Sequence, residues 1–135
     1  MKIKLGIVLD LNAMLKAIID NTELKIDSLL KFKLLGILKN IEIPVNNFEA
    51  IRNEKIREYG KENDEGNIGI SADDTESMEK FTKDMNEVIN SDVQVNIQKL
   101  KVTDVFDKGL PAEYLVGLYS IIEEWICIHG KYVMN

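Results

Sequence analysis

Apolar residues stand at every second position near the start of the chain, at Ile3, Leu5, Ile7, Leu9 and Leu11. A period of two is that of a strand, whose successive side chains point to opposite faces. The spacing then shifts to threes and fours at Leu11, Met14, Leu15, Ile18 and Ile19, which is helical. These patterns predict a strand over residues 2–8 and a short helix over 12–20, with Asp10 or Asn12 as its cap. After a break at Asn21-Thr22, the run Ile26, Leu29, Leu30, Phe32, Leu34, Leu35, Ile37, Leu38 and Ile41 predicts a long helix. It is apolar around much of its girth, so it is either central to the core or half of an interface between subunits. Lys25, Lys31, Lys33 and Lys39 keep the rest of its surface wet. Pro44 ends it, because the residue before a proline is pushed out of helical geometry.

Asn46 or Asn47 is placed to cap a third helix carrying Phe48, Ile51, Ile56 and Tyr59, with Gly60 as its stop. Asn63-Asp64-Glu65-Gly66 is turn chemistry, and Asn67 to Ile70 reads as a brief strand. Ser71-Ala72-Asp73-Asp74 approaches a capping box, with Asp where Glu is usual. It opens a helix over about 74–89 with Met78, Phe81, Met85, Val88 and Ile89 on one face. Val93, Val95 and Ile97 alternate, and Leu100 and Val102 continue on the opposite parity. That predicts a strand over 93–102 with a bulge near Gln98 or Lys99. Pro111 suits the first position of a last helix, whose stripe is Tyr114, Leu115, Leu118, Tyr119, Ile122, Trp125 and Ile126, ending at Gly130. The expected fold is one α+β domain over residues 1–135. Its small antiparallel sheet pairs the amino-terminal strand with strand 93–102 and packs against about five helices. Lys2, Lys4, Lys99 and Lys101 would line that sheet and blunt its edges.

Composition narrows the class. An apolar fraction of 45% and a charged fraction of 30% over 135 residues are those of an ordinary folded domain. A chain of this size buries roughly 70% of its unfolded surface. Asp10 and Asn12 interrupt the first apolar run before a signal peptide can form, and no apolar run approaches the ~18 residues of a membrane span. The lone Cys127 excludes an internal disulfide, which fits a reducing compartment.

Charge is the feature that changes the picture. Residues 54–90 hold eleven acids and five bases, so the whole net charge of −6 lies there and the remainder is neutral. An acidic side repels nucleic acid and attracts a basic partner. Glu62, Asp64, Glu65, Asp73, Asp74, Glu76, Glu79, Asp84 and Glu87 are therefore the candidate partner-binding residues. Against that reading, Glu76 and Lys80, Glu79 and Lys83, Lys80 and Asp84, and Lys83 and Glu87 are spaced as helical i,i+4 pairs, the signature of a salt-bridged, solvated face.

The search for catalytic chemistry yields little. His129 is the sole histidine, and on a helix Cys127 and His129 would point to opposite sides and could not act together. Residues 61–72 lack a calcium loop's first acid and last glutamate, since Lys61 and Ala72 occupy those places. Asp10 with Glu23-Leu24-Lys25 has the ingredients of a metal-dependent nuclease, but that chemistry needs its carboxylates on adjacent strands. The glycines are too scattered for a phosphate loop, and no basic stripe interleaved with aromatics appears. No enzyme, cofactor or metal is expected, and no direct nucleic-acid or membrane partner.

The run from Asn53-Glu54-Lys55 to Tyr59-Gly60-Lys61, the acidic turn ending at Gly66, Phe81 to Ile89, Val93 to Val102 and Leu110-Pro111-Ala112 together resemble small accessory proteins of tailed phages and prophages of Gram-positive bacteria. The resemblance covers about residues 50–120, carries no catalytic signature and transfers no functional residue. It implies a protein acting by protein–protein binding, in virion assembly or host takeover, in the host cytoplasm or the virion. An acidic inhibitor of a host nucleic-acid-binding defence enzyme is the alternative, and the nuclease ranks last. A homo-oligomer through helix 26–41 stays open.

Overall fold

The structure is a computed structural model that describes residues 1–123 together with the backbone of 125–128 and 131–134. Strand β1 (Lys2–Lys4) leads directly into helix α1 (Leu5–Asp20). Leu5, Val8, Leu11, Leu15 and Ile18 are buried at helical spacing, and Ile7 faces outward. The early alternation is therefore strand-like only through Lys4. Helical burial of Leu5 and Val8 wins beyond it, so Asp10 and Asn12 lie inside α1 and cap nothing.

Helix α2 (Ser28–Asn40) is capped by Asp27, whose Oδ2 accepts from the Leu30 N–H at 3.2 Å. Helix α3 (Glu42–Tyr59) follows after the single residue Ile41. Pro44 thus sits in the first turn of α3, whereas the sequence reading made it the stop of the preceding helix. A first-turn residue has no intrahelical acceptor for its N–H, so proline loses nothing there. Asn46 and Asn47 fall within α3 as exposed residues, again contrary to the expected caps. Gly60 does end α3, with its N–H on the Ile56 carbonyl at 2.7 Å.

Strands β2 (Lys61–Glu62) and β3 (Ile68–Gly69) form a minimal antiparallel hairpin. Its turn is organised by Asn63, whose side chain accepts from the Glu65 and Asn67 N–H groups, and by Gly66 at φ +85°. Helix α4 (Thr75–Ile89) is capped by Asp74, which accepts from the Ser77 N–H at 3.2 Å. The expected box beginning at Ser71 is displaced by three residues, because Asp74 itself supplies the capping oxygen.

Strand β4 (Asp92–Gln94) pairs antiparallel with β1, Ile3 opposite Val93, as the sequence led one to expect. Lys2 and Lys4 reach Asp92 at 4.0 and 3.3 Å across this ladder. The strand stops at Gln94, however, and has no bulge at Gln98 or Lys99. Val95 still exchanges backbone hydrogen bonds with Met1 at 2.8 and 2.9 Å, then residues 96–99 leave the ladder, Leu100 makes one parallel bridge to Ile122, and helix α5 (Val102–Val105) begins. The parity change seen in the sequence marks this departure, since Val95, Leu100 and Val102 all enter the core although the chain between them is no longer a strand. Lys99 and Lys101 consequently lie off the sheet.

The last helix is much shorter than its stripe suggested. Helix α6 (Ala112–Gly117) ends where Gly117 meets Met14 of α1, and a 3₁₀ turn (Tyr119–Ile121) follows. Residues Trp125–Ile128 (β5) and Lys131–Met134 (β6) form an antiparallel hairpin, Cys127 opposite Tyr132. Isoleucine-rich sequence from Ile121 to Ile128 favours extended backbone over the helical continuation that its spacing permitted. Cys127 is thus on a strand, and the helix argument separating it from His129 does not apply; His129 and the expected stop at Gly130 lie outside the described residues. The result is the expected α+β fold. Helix α1 packs against α2, α3, α4 and α6, the β1–β4 sheet adjoins its start, and the core joins Leu11, Leu15, Leu30, Leu34, Ile41, Leu118 and Ile121.

Candidate functional site

The acidic segment is divided among three places. Asp64 and Glu65 occupy the exposed hairpin turn between β2 and β3. Glu62, Asp73 and Asp74 line a cleft of about 690 Å³ with Tyr59, Lys61 and Asn63, between that hairpin and the start of α4. Asp74 is occupied by its capping role: hydrogen bonding with Ser77, side chain and backbone, holds its carboxyl below the usual range. Glu76, Glu79 and Glu87 share the outward side of α4 with Lys80 and Lys83, which leaves that side only weakly acidic.

Only one of the four expected helical pairs, Glu76 with Lys80 at 3.3 Å, is an ion pair among the described residues. Asp84 turns the other way, toward α3. It accepts from the Tyr59 hydroxyl at 2.6 Å and has Lys55 at 3.7 Å, and Lys55 is also 2.9 Å from Glu58. Two of the nine acids, Asp74 and Asp84, thus serve the fold. Surface imitation of a nucleic-acid backbone calls for ranks of free acids, and this segment is broken into small groups.

The nuclease constellation does not assemble. Asp10 is exposed midway along α1, and Glu23 is exposed beyond its end, so about 15 Å of helix axis separates Asp10 from that end. Among the described residues no group of three His, Cys, Asp or Glu side chains is close enough to share a metal ion. No helix there is long and apolar enough to cross a membrane.

The feature that stands out is on α2. Its inward side buries Leu30, Leu34 and Ile37, while its outward side leaves Phe32 at 73% exposure and Leu29 at 60%, with Leu35 also exposed. Ile43, just beyond on α3, is 72% exposed. Leu29, Phe32 and Gly36 follow one another at helical spacing, so they form a continuous row. A groove of about 520 Å³ runs beside the row, lined by Phe32, Lys33, Gly36, Lys99, Lys101 and Asp104 among others. A smaller one of about 280 Å³ lies on the Leu35 side, with Lys16, Lys39 and Glu42 at its rim. Lys33 is tied to Asp104 at 3.0 Å and Lys39 to Glu42 at 3.0 Å. Asp104 also accepts from the Lys101 N–H at 2.8 Å, and these two contacts, the backbone one foremost, hold its carboxyl below the usual range.

Reasoning from charge pointed to the acids, whereas Leu29, Phe32 and Leu35 belong to the apolar run that the sequence reading left as either core or interface. The signal for them was present in the sequence, since a helix apolar around most of its girth cannot bury every side in a chain this small. Val116, within the six-residue α6, and Tyr119, in the 3₁₀ turn after it, are also exposed but form no comparable row. No family model, curated protein or solved structure matches this chain.

Proposed function

We propose that this chain is a non-enzymatic protein-binding module whose contact surface is the outward side of α2, and that it works as an accessory protein of a tailed phage or prophage. Its setting is virion assembly or takeover of the host, in the host cytoplasm or the virion. One observation supports the contact surface above the others: Leu29, Phe32 and Leu35 stay exposed beside one another on a helix whose opposite side is core. Apolar side chains grouped in this way mark places where proteins meet. Burying one aromatic or leucine side chain is worth about 1.5–3 kcal/mol, so a patch of three or four is sufficient to anchor a specific complex.

The competing reading, an inhibitor that presents acids to a nucleic-acid-binding enzyme, draws on the −6 charge of residues 54–90. Capture from cells that naturally make the protein separates the two. Three tagged forms are compared: the natural chain, Leu29→Ser with Phe32→Ser, and Glu76→Gln with Glu79→Gln and Glu87→Gln. The α2 reading expects the same specific partner with the first and third forms and its loss with the second. Loss with the third form and retention with the second would transfer the function to the acidic segment.

A further inference from the structure

Gly36 is in the middle of α2, yet nothing among the described residues requires a glycine there. A Cβ built on it meets no atom within 4 Å, and the residue is exposed. Gly117 and Gly6 are different: a Cβ on either would press on Met14 or Ile89. Glycine inside a helix destabilises it relative to alanine, through the freedom it loses on folding. Its use at an exposed position is explained when another backbone passes close by, because absence of a side chain lets two helices approach. Gly36 is one position in a row with Leu29 and Phe32, so a helix lying along that row would cross α2 above it.

The charge around the row defines what that helix carries. Lys16 and Lys39 border one side and Lys33, Lys99 and Lys101 the other, with Lys31 exposed on α2 itself. Against these six lysines stand Glu42, Asp104 and Glu123, the first two already paired to Lys39 and Lys33. Lys16, Lys31, Lys99 and Lys101 make no ion pair among the described residues. α2 contains three lysines and no acid, so the face is positive on a chain whose net charge is −6. A second copy of α2 would bring lysines against lysines, and the outward side of α4 offers acids without an apolar row. Nucleic acid would satisfy the lysines but would leave Leu29 and Leu35 without an apolar partner.

Resting on the α2 reading above, we propose that the occupant is an amphipathic helix of a different protein, with an apolar stripe flanked by Asp and Glu, crossing α2 at Gly36. The stripe covers Leu29, Phe32 and Leu35, and the acids meet Lys16 and Lys31 on one side and Lys99 and Lys101 on the other.

The test places a photo-activated benzophenone side chain at Phe32 in the full chain, in cells that naturally make the protein, and sequences the cross-linked peptide. The expected product joins residue 32 to a segment of another protein with helical apolar spacing and more acids than bases. Gly36→Leu should lower its yield at least tenfold. With the partner so identified, Gly36→Ala should raise the thermal midpoint of the free chain by a few degrees and weaken binding severalfold. A purely structural glycine would not move those two readings in opposite directions. A product within a second copy, within the chain's own residues 125–134 or on nucleic acid overturns the proposal, as does no product at all. Cross-linking to an extended or basic segment of another protein overturns the helix and its charge but leaves the α2 contact surface standing.

Discussion

The Tyr59 hydroxyl, at the end of α3, donates to the Asp84 carboxylate on α4 at 2.6 Å. Lys55 stands 3.7 Å from the same carboxylate, and its ammonium is 5.7 Å from the centre of the Tyr59 ring. This group ties the two helices that bracket the acidic hairpin. The hydrogen bond to Asp84 is the main reason the Tyr59 phenol is held above its ordinary value, since ionisation would place a second anion beside the carboxylate. A hydrogen bond with Glu58 is the main cause of the corresponding rise at Lys55.

Tyr59→Phe should therefore lower the thermal midpoint of the chain. The effect should be smaller when Asp84 is already alanine, since the bond is then absent from both members of the comparison. A double-mutant cycle by thermal denaturation measures this directly. Equal effects in both backgrounds would show that the bond contributes nothing.

Asp104 links α2 to the start of α5 through Lys33 and the Lys101 N–H. Asp104→Ala should cost about 1 kcal/mol, allowing for partial exposure of the pair. Because the folded carboxyl is held below its ordinary value, its contribution is complete above the unfolded value of 3.8 and is lost as pH falls through the lower folded value. The stability difference between the natural chain and Asp104→Ala, measured by urea unfolding, should be flat from pH 7 to about pH 5 and shrink below about pH 4. A difference that shrinks on raising the pH above neutrality would have the wrong sign.

Gly117→Ala should destabilise the chain by about 1 kcal/mol. The added methyl falls on the Met14 side chain, whose flexible end must swing aside while its Cγ, 3.0 Å away, gives slightly. Chemical unfolding of the variant checks the size. Replacing Gly36 by alanine should do the opposite and add up to about 1 kcal/mol, since that position is open.

What could be read in advance follows from how local the cause is. Helix α4 was legible because Met78, Phe81, Met85, Val88 and Ile89 repeat cleanly and few other apolar residues confuse the face. The β1–β4 pairing was legible too, with Ile3 and Val93 as its matched inward positions. In contrast, Leu5 satisfies both the strand alternation and the helical spacing of α1, and only its packing decides. Pro44 was misread because proline is equally suited to the residues after one helix and the first turn of the next. The stripe from Tyr114 to Ile126 has a helical spacing, but α6 stops where Gly117 approaches Met14 and the isoleucine-rich sequence beyond favours extended backbone. As for the site, a sequence gives charge totals directly but exposure only through the fold. The acids could therefore be named residue by residue, whereas the sequence shows α2 to be too apolar to bury on every side without showing which side stays free.

Phe32→Ser should leave the stability of the isolated chain within about 0.5 kcal/mol, because the ring is exposed and supports little of the core. The same change should abolish capture of the partner. A large loss of stability, seen in the same urea titration, would place the ring in the fold and remove it from the binding surface.

The central claim is tested most directly by amide hydrogen exchange on the chain alone and saturated with its captured partner. The account predicts slowed exchange across residues 28–40, on α2, with residues 61–89 unchanged. Protection confined to residues 61–89, with α2 exchanging as in the free chain, would contradict it.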